Sequence, residues 1–132
     1  MSSLHDKPAW DKESADENSK AEKVFSQMLR DDSRSIYFAT YQGVAAGSID
    51  LVVVPNLTAD LSPWATIENI VVLPEYQLKG IGRCLMEAAI ERAREAGCYQ
   101  VQLVSGTQRI AAHSLYKELG FDADVKGFRK YL

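Results

Sequence analysis

Between residues 71 and 83 the chain reads VVLPEYQLKGIGR, an apolar run that passes through a proline-marked loop into a glycine-bearing helix start. Such a junction aims backbone N–H groups outward. The first turn of a helix leaves four N–H donors without intrahelical partners and carries a partial positive charge, so it can hold a phosphate without a basic side chain. Gly80 and Gly82 remove side chains that would block close approach, and Lys79 and Arg83 add local cations. The same two glycines could instead do no more than ease a tight strand-to-helix turn. The pattern lacks the third glycine of a dinucleotide fingerprint and the G-K-[ST] ending of a P-loop, so neither reading fits. Just upstream, Glu68 interrupts an otherwise apolar run, which is costly for an ionisable group unless it is paired or used. Strand alternation places Asn69 on the opposite face from Glu68.

These residues need a scaffold, and the sequence supplies one. Ile81, Leu85, Ala88, Ala89 and Ala93 recur at helical spacing over residues 80–96, with Gly97 where a helix C-terminal glycine belongs. Residues 65–73 read as a buried strand ended by Pro74, and residues 99–105 as an alternating strand. Residues 35–41 and 45–54 are rich in β-branched and aromatic types and flank Gln42-Gly43, which predicts an antiparallel hairpin. Residues 55–63 form a polar loop. A short amphipathic helix is expected over residues 20–30 from Val24, Phe25, Met28 and Leu29, and a further helix over 110–119 ends at Gly120. Residues 121–132 are expected to hold two short strands around Lys126-Gly127. The first 19 residues are charged and small-polar, and read as a tail or docked arm ahead of a single domain over 20–132.

Composition narrows the function. A chain of 132 residues has room for one core, and 46% hydrophobic with 25% charged residues is an ordinary globular balance. A formal net charge of -3 argues against nucleic acid as a partner. No apolar run approaches the roughly 20 residues that span a bilayer, so no membrane partner and a cytoplasmic location are expected. The two cysteines, Cys84 and Cys98, have no metal-ligand spacing; they read as packing residues, and no metal is expected.

The segment Gln77-Leu78-Lys79-Gly80-Ile81-Gly82 resembles the Arg/Gln-x-x-Gly-x-Gly/Ala motif by which the GCN5-related N-acetyltransferase superfamily holds acetyl-CoA. Residues 112–121, AHSLYKELGF, resemble the second signature of that superfamily, A-x-x-L-Y-x-x-x-G-F, at the expected distance downstream. The resemblance covers about residues 20–132. It implies an α/β (α+β) fold with a mixed, mostly antiparallel central sheet flanked by helices, whose first strand and helix are missing or degenerate here. Pro63-Trp64, Gln108-Arg109 with Ala112-His113, and the FRKYL ending look most similar to aminoalkylphosphonate acetyltransferases, and amino-sugar phosphate acetyltransferases are a looser match.

Amide formation from a thioester needs a neutral amine, a stabilised oxyanion and a proton for the departing thiolate. The resemblance implies that backbone groups of Val71 and Val72 pair with pantetheine and polarise the thioester carbonyl. It implies that Gln77, Leu78, Lys79, Gly80, Ile81, Gly82 and Arg83 hold the pyrophosphate. Arg109 stands where many members place an asparagine that reaches the pantetheine arm. Tyr116 falls where the family places a general acid near the coenzyme sulfur, although a core aromatic would sit equally well between Leu115 and Leu119. Glu68 matches the strand carboxylate that accepts the ammonium proton, directly or through water, and His113 is a further candidate for the base. The expected activity is transfer of acetyl from acetyl-CoA to a primary amine of a small molecule by direct attack in a ternary complex, with a homodimer as an assembly that stays open. A non-catalytic acetyl-CoA-binding sensor or partner subunit, and a protein N-acetyltransferase, are the alternatives.

Overall fold

The computed structural model describes residues 2–3, 15–105 and 109–132. In chain order the elements are β1 (Ser2–Ser3), α1 (Ala15–Arg30), β2 (Arg34–Tyr41), β3 (Val44–Val54), β4 (Trp64–Val72), α2 (Ile81–Glu95), β5 (Val101–Leu103) and α3 (Ile110–Glu118). The strands form one sheet in the order β1-β2-β3-β4-β5. The first three pairings are antiparallel and β4 with β5 is parallel, so the sheet is mixed and mostly antiparallel as expected.

The β2–β3 hairpin closes at Gln42 (φ 51°) and Gly43 (φ 79°), the paired left-handed conformation of a two-residue turn that follows strand twist. Pairing then fixes which side chains share a face. An added Cβ on Gly47 would meet Leu85 of α2, so Gly47 faces α2; Ser48 and its partner Phe38 face the other way, where Phe38 meets the ring of Phe25 on α1. The two helices therefore cover opposite faces. The core lies under α2, where Ile49, Leu51, Ala65, Ile67, Ile81, Leu85, Met86, Ala89 and Ala93 are buried together with Tyr116 of α3. Leu85 and Ala89 lie where the helical spacing puts them, whereas Met86 is fully buried at a position the apolar stripe left out.

Two expectations about the chain ends need correction. Helix α1 begins at Ala15, inside the segment read as tail, because helix formation does not require the apolar residues whose scarcity suggested a tail. Ser2–Ser3 pairs with Phe38 and Ala39 at the edge of the described sheet, so a short strand precedes β2 within the segment read as tail. At the other end the hairpin around Lys126-Gly127 does not form: residues 122–132 are exposed and without strand, with Val125 83%, Phe128 92% and Tyr131 79% exposed. Side-chain alternation marks a strand only where a ladder partner exists, and among the described residues β5 pairs with β4 alone, over three residues. The helix ends were legible: Gly97 (φ 79°) and Gly120 (φ 95°) take the left-handed conformation just beyond α2 and α3.

Candidate active site

Strand β4 runs from Trp64 to Val72, but β5 accompanies it only from Ala65 to Ile67. Beyond Ile67 the two parallel strands part, and the β4 edge from Glu68 to Val72 has no strand partner on that side among the described residues. A backbone edge without a ladder partner offers N–H and C=O groups to an extended ligand. The opening is bounded by the start of α2 and by α3, since an added Cβ on Gly82 would lie 3.6 Å from Leu115 Cδ2 and 3.9 Å from Val72 Cγ2.

The loop into α2 contains a short 3-10 turn (Pro74–Tyr76), then Leu78 in left-handed conformation (φ 63°) with its side chain wholly exposed. Gly80 caps α2 at φ 80°, a conformation that suits glycine and costs other residues. Gly82 has no such constraint. Its added Cβ would make only ordinary van der Waals contacts, so the fold does not require glycine there, and the room it leaves lies on the surface of the first helical turn. The glycine pair thus separates: Gly80 serves the turn, while Gly82 is not needed by the fold, and the first-turn amides beside it can take an anionic group such as a pyrophosphate.

The remaining expected cofactor contacts divide. Gln77 donates its Nε2 to the Val72 carbonyl at 3.3 Å, tying the loop to the end of β4. Lys79 places its ammonium 5.3 Å from the centre of the Tyr41 ring, at the mouth of the loop. Val71 is exposed, while Ile81 is buried in the core and can present only its backbone. Arg83 is not a free cation: it pairs with Glu118 of α3 and lies 3.8 Å from Glu87, so it joins α2 to α3. Arg109 caps α3 and is exposed. Gln108 lies outside the described residues.

Tyr116 is 7% exposed, with its ring 6.2 Å from that of Phe121 and 6.3 Å from that of His113. Its hydroxyl has no hydrogen-bond partner among the described residues. Both readings of this residue therefore coexist: the ring is core, and the phenol is uncommitted. Glu68 is exposed on the α1 face and accepts a hydrogen bond from Thr66 Oγ1 at 3.1 Å. Tyr116 belongs to the core on the α2 face, so acid and base candidates approach the β4 opening from opposite sides of the sheet.

Alternation fails at Asn69. Pairing steps from Asp50↔Glu68 to Ser48↔Val71, so Asn69 and Ile70 stand opposite the single residue Ile49, and Asn69 takes φ 52°. The bulge removes the strict alternation on which the opposite-face expectation for Asn69 and Glu68 rested. Both side chains lie within electrostatic reach of the Asp50 carboxyl, Asn69 favouring its charged form and Glu68 opposing it. Asp50 is 2% exposed and pairs through Oδ2 with Arg34 of β2. Burial is the largest influence on it and pushes its pKa above the usual carboxylate range, against the opposing pull of the Arg34 guanidinium and of Asn69. Sequence reasoning passed over Asp50, although an acid inside the run LVVV carried the same signal as Glu68. Gly47 was also missed: an added Cβ there would lie 2.6 Å from the Val71 carbonyl oxygen, so glycine lets β3 approach β4 beside the opening.

Cys84 and Cys98 are free thiols, and burial pushes the Cys98 thiol up, which favours the protonated packing role. Among the described residues no group of three His, Cys, Asp or Glu side chains could hold a metal ion, and no helix is long and apolar enough to cross a membrane.

With this geometry, comparison with known proteins is specific. Residues 2–121 match the model of the acetyltransferase (GNAT) family, and the chain belongs to that family. A solved structure of a putative acetyltransferase from Agrobacterium tumefaciens superposes with a TM-score of 0.81 at 37% identity, over 86% of this chain and 78% of that one. Glucosamine 6-phosphate N-acetyltransferase of Trypanosoma brucei brucei is 33% identical over 87 residues, 66% of this chain and 57% of that protein. The ribosomal protein bS18-alanine N-acetyltransferase of Escherichia coli K12 is 40% identical over 58 residues, 44% of this chain and 39% of its own length. The chain thus spans between about two fifths and three fifths of the length of these two relatives.

Proposed function

We propose that the chain is an N-acetyltransferase that passes acetyl from acetyl-CoA to a primary amine of a small molecule by direct attack in a ternary complex. The observation that carries this reading is the parting of β4 and β5 beside the Gly80–Gly82 helix start, which sets a free strand edge next to an anion cradle. When bound, acetyl-CoA supplies an activated acyl group as its thioester. The start of α2 and Lys79 hold the pyrophosphate, and the backbone of Val71 and Val72 pairs with the pantetheine arm and orients the carbonyl. Glu68, on the α1 face, takes the proton from the incoming ammonium. Tyr116, on the other face, returns a proton to the departing sulfur. This division suits a reaction in which amine and thioester meet through the opening without a covalent enzyme intermediate.

Similarity to one relative named for glucosamine 6-phosphate and another for a ribosomal protein alanine leaves the acceptor to be found. The resemblance of Pro63-Trp64 and the FRKYL ending to aminoalkylphosphonate acetyltransferases favours a small amine that carries an anionic group. The test is thiol release from acetyl-CoA across a panel of aminoalkylphosphonates, amino-sugar phosphates, aminoglycosides and peptides with free N-termini. Turnover confined to the small amines supports the proposal. Turnover confined to the peptides replaces it with a protein N-acetyltransferase, and bound acetyl-CoA without turnover replaces it with a sensor.

A further inference from the structure

The least expected group in the sheet is Asp50. A carboxylate that is 2% exposed needs partners, and only one of its oxygens has a full one: Oδ2 pairs with Arg34, while Oδ1 is buried without a hydrogen-bond partner. Its position in the register accounts for the arrangement. Asp50 stands opposite Glu68, the last residue of β4 in step before the bulge, and the next pairing in step is Ser48 with Val71. A bulge takes its extra residue out of the ladder, so that residue's polar groups must be served by something other than the neighbouring strand. Asn69 holds a left-handed φ of 52°, a conformation asparagine adopts more readily than other non-glycine residues. Asn69 is one of the groups that favour the charged form of Asp50. Arg34 on β2 and Asp50 on β3 thus form a buried ion pair that meets β4 directly opposite Glu68, at the edge of the bulge and within electrostatic reach of Asn69, inside a sheet otherwise held by apolar packing and the backbone ladder.

From this we infer that Asp50, clamped by Arg34, is a positioning residue that fixes the Asn69–Ile70 bulge, and through it the aim of Glu68 and of the Ile70–Val72 backbone. The inference rests on the acyl-transfer reading for its catalytic consequence, but its structural content stands independently. A residue that only stabilised the sheet would tighten all strands alike. A bulge brace acts on five residues of β4.

The experiment compares the unmodified protein with Asp50→Asn, Asn69→Gly and the double variant Arg34→Met/Asp50→Leu. Each is read by thermal unfolding, by residue-resolved amide hydrogen exchange, and by kcat and KM. Replacing a buried ion pair by apolar residues of similar volume is often neutral or stabilising, so the double variant should recover any thermal loss seen in Asp50→Asn. It should not recover the brace. Amide exchange over residues 68–72 should rise about 10-fold or more in both Asp50 variants relative to residues 36–39, and kcat should fall about 10-fold or more while KM for acetyl-CoA moves less than about 3-fold. Asn69→Gly tolerates the left-handed φ and preserves the bulge backbone, so it should fold normally and show the same pattern at smaller size. Exchange that rises uniformly across the sheet, or a double variant with normal exchange at residues 68–72, overturns the inference. If the Asp50 variants do not fold, Asn69→Gly decides: normal exchange and kcat refute the brace. If the unmodified protein shows no turnover but the local exchange pattern holds, the acyl-transfer reading fails and the brace stands.

Discussion

Replacing Gly82 by aspartate separates what the fold needs from what a ligand needs. Gly82 is the second residue of α2, and a Cβ there would find its nearest neighbours at 3.6 and 3.9 Å, so no atom must move. A carboxylate in the first turn is favoured by the helix dipole by about 0.3–1 kcal/mol, and removing a glycine from a helix adds a similar amount. The ligand-free variant should therefore unfold at the same temperature as the unmodified protein or a few degrees higher. Ligand protection should behave oppositely. A ligand at about 100 times its Kd stabilises the folded state by about 2.7 kcal/mol. For a chain of this length each kcal/mol moves Tm by about 3–5 °C, so acetyl-CoA should raise Tm of the unmodified protein by about 10 °C. In Gly82→Asp, Cβ and negative charge occupy the space beside the α2 amides, and the rise should fall to near zero. Gly80→Ala is the contrasting control: its φ of 80° makes any side chain costly, so ligand-free Tm should drop by several degrees. The assay is scanning fluorimetry at several acetyl-CoA concentrations. Full protection of Gly82→Asp would refute the cradle, and a drop in its ligand-free Tm would refute the claim that the fold leaves this position free.

Four further outcomes are expected. Tyr116→Phe should keep acetyl-CoA affinity and lose about 10²-fold in kcat, with partial rescue by an acyl donor whose thiol is more acidic; unchanged turnover would leave Tyr116 as core only. Glu68→Gln should lower kcat/KM about 10²-fold with acetyl-CoA affinity kept; unchanged kcat/KM would pass the base role to another group. Gly47→Ala should cost about 1–3 kcal/mol and weaken acetyl-CoA protection, because the new methyl lies 2.6 Å from the Val71 carbonyl oxygen; a normal Tm would show that β4 can shift freely. Asp50 should contribute to pH dependence in the unusual sense: its folded-state pKa is raised, so its contribution is greatest below the ordinary aspartate pKa and is lost as pH rises through the folded value. The Tm difference between the unmodified protein and Asp50→Asn should therefore move in favour of the unmodified protein as pH falls from about 7 toward 4, and a difference independent of pH would contradict the raised pKa.

Legibility of the chain followed the range of the interactions involved. Helix α2 and its glycine stop could be read because Ile81, Leu85, Ala89 and Ala93 report one local periodicity. The β2–β3 hairpin was visible in Gln42-Gly43, whose turn requires residues that tolerate positive φ. The strand, loop and helix start around residues 77–82 could be read because they are consecutive in the chain. What stayed hidden depends on register between strands distant in sequence. No local pattern shows that Asn69 and Ile70 face one residue of β3, that Asp50 lies beside Glu68, or that Gly47 admits Val71. The absent C-terminal hairpin has the same cause in reverse, since residues 121–132 have strand-like composition but no partner in the described sheet.

The three-residue pairing of β4 with β5 also bears on the order in which the sheet assembles. The β2–β3 hairpin joins neighbours across a two-residue turn, so its contacts close quickly and at little entropic cost. Pairing Ala65 with Val101 instead requires α2 and its flanking loops to be in place first, because that whole segment lies between the partners. Contacts of this kind tend to form late, after the main folding barrier has been crossed. Damage to β5 should then be felt mainly as faster unfolding, with the folding rate little changed. The stretch where β4 and β5 part would then be among the last of the sheet to be completed.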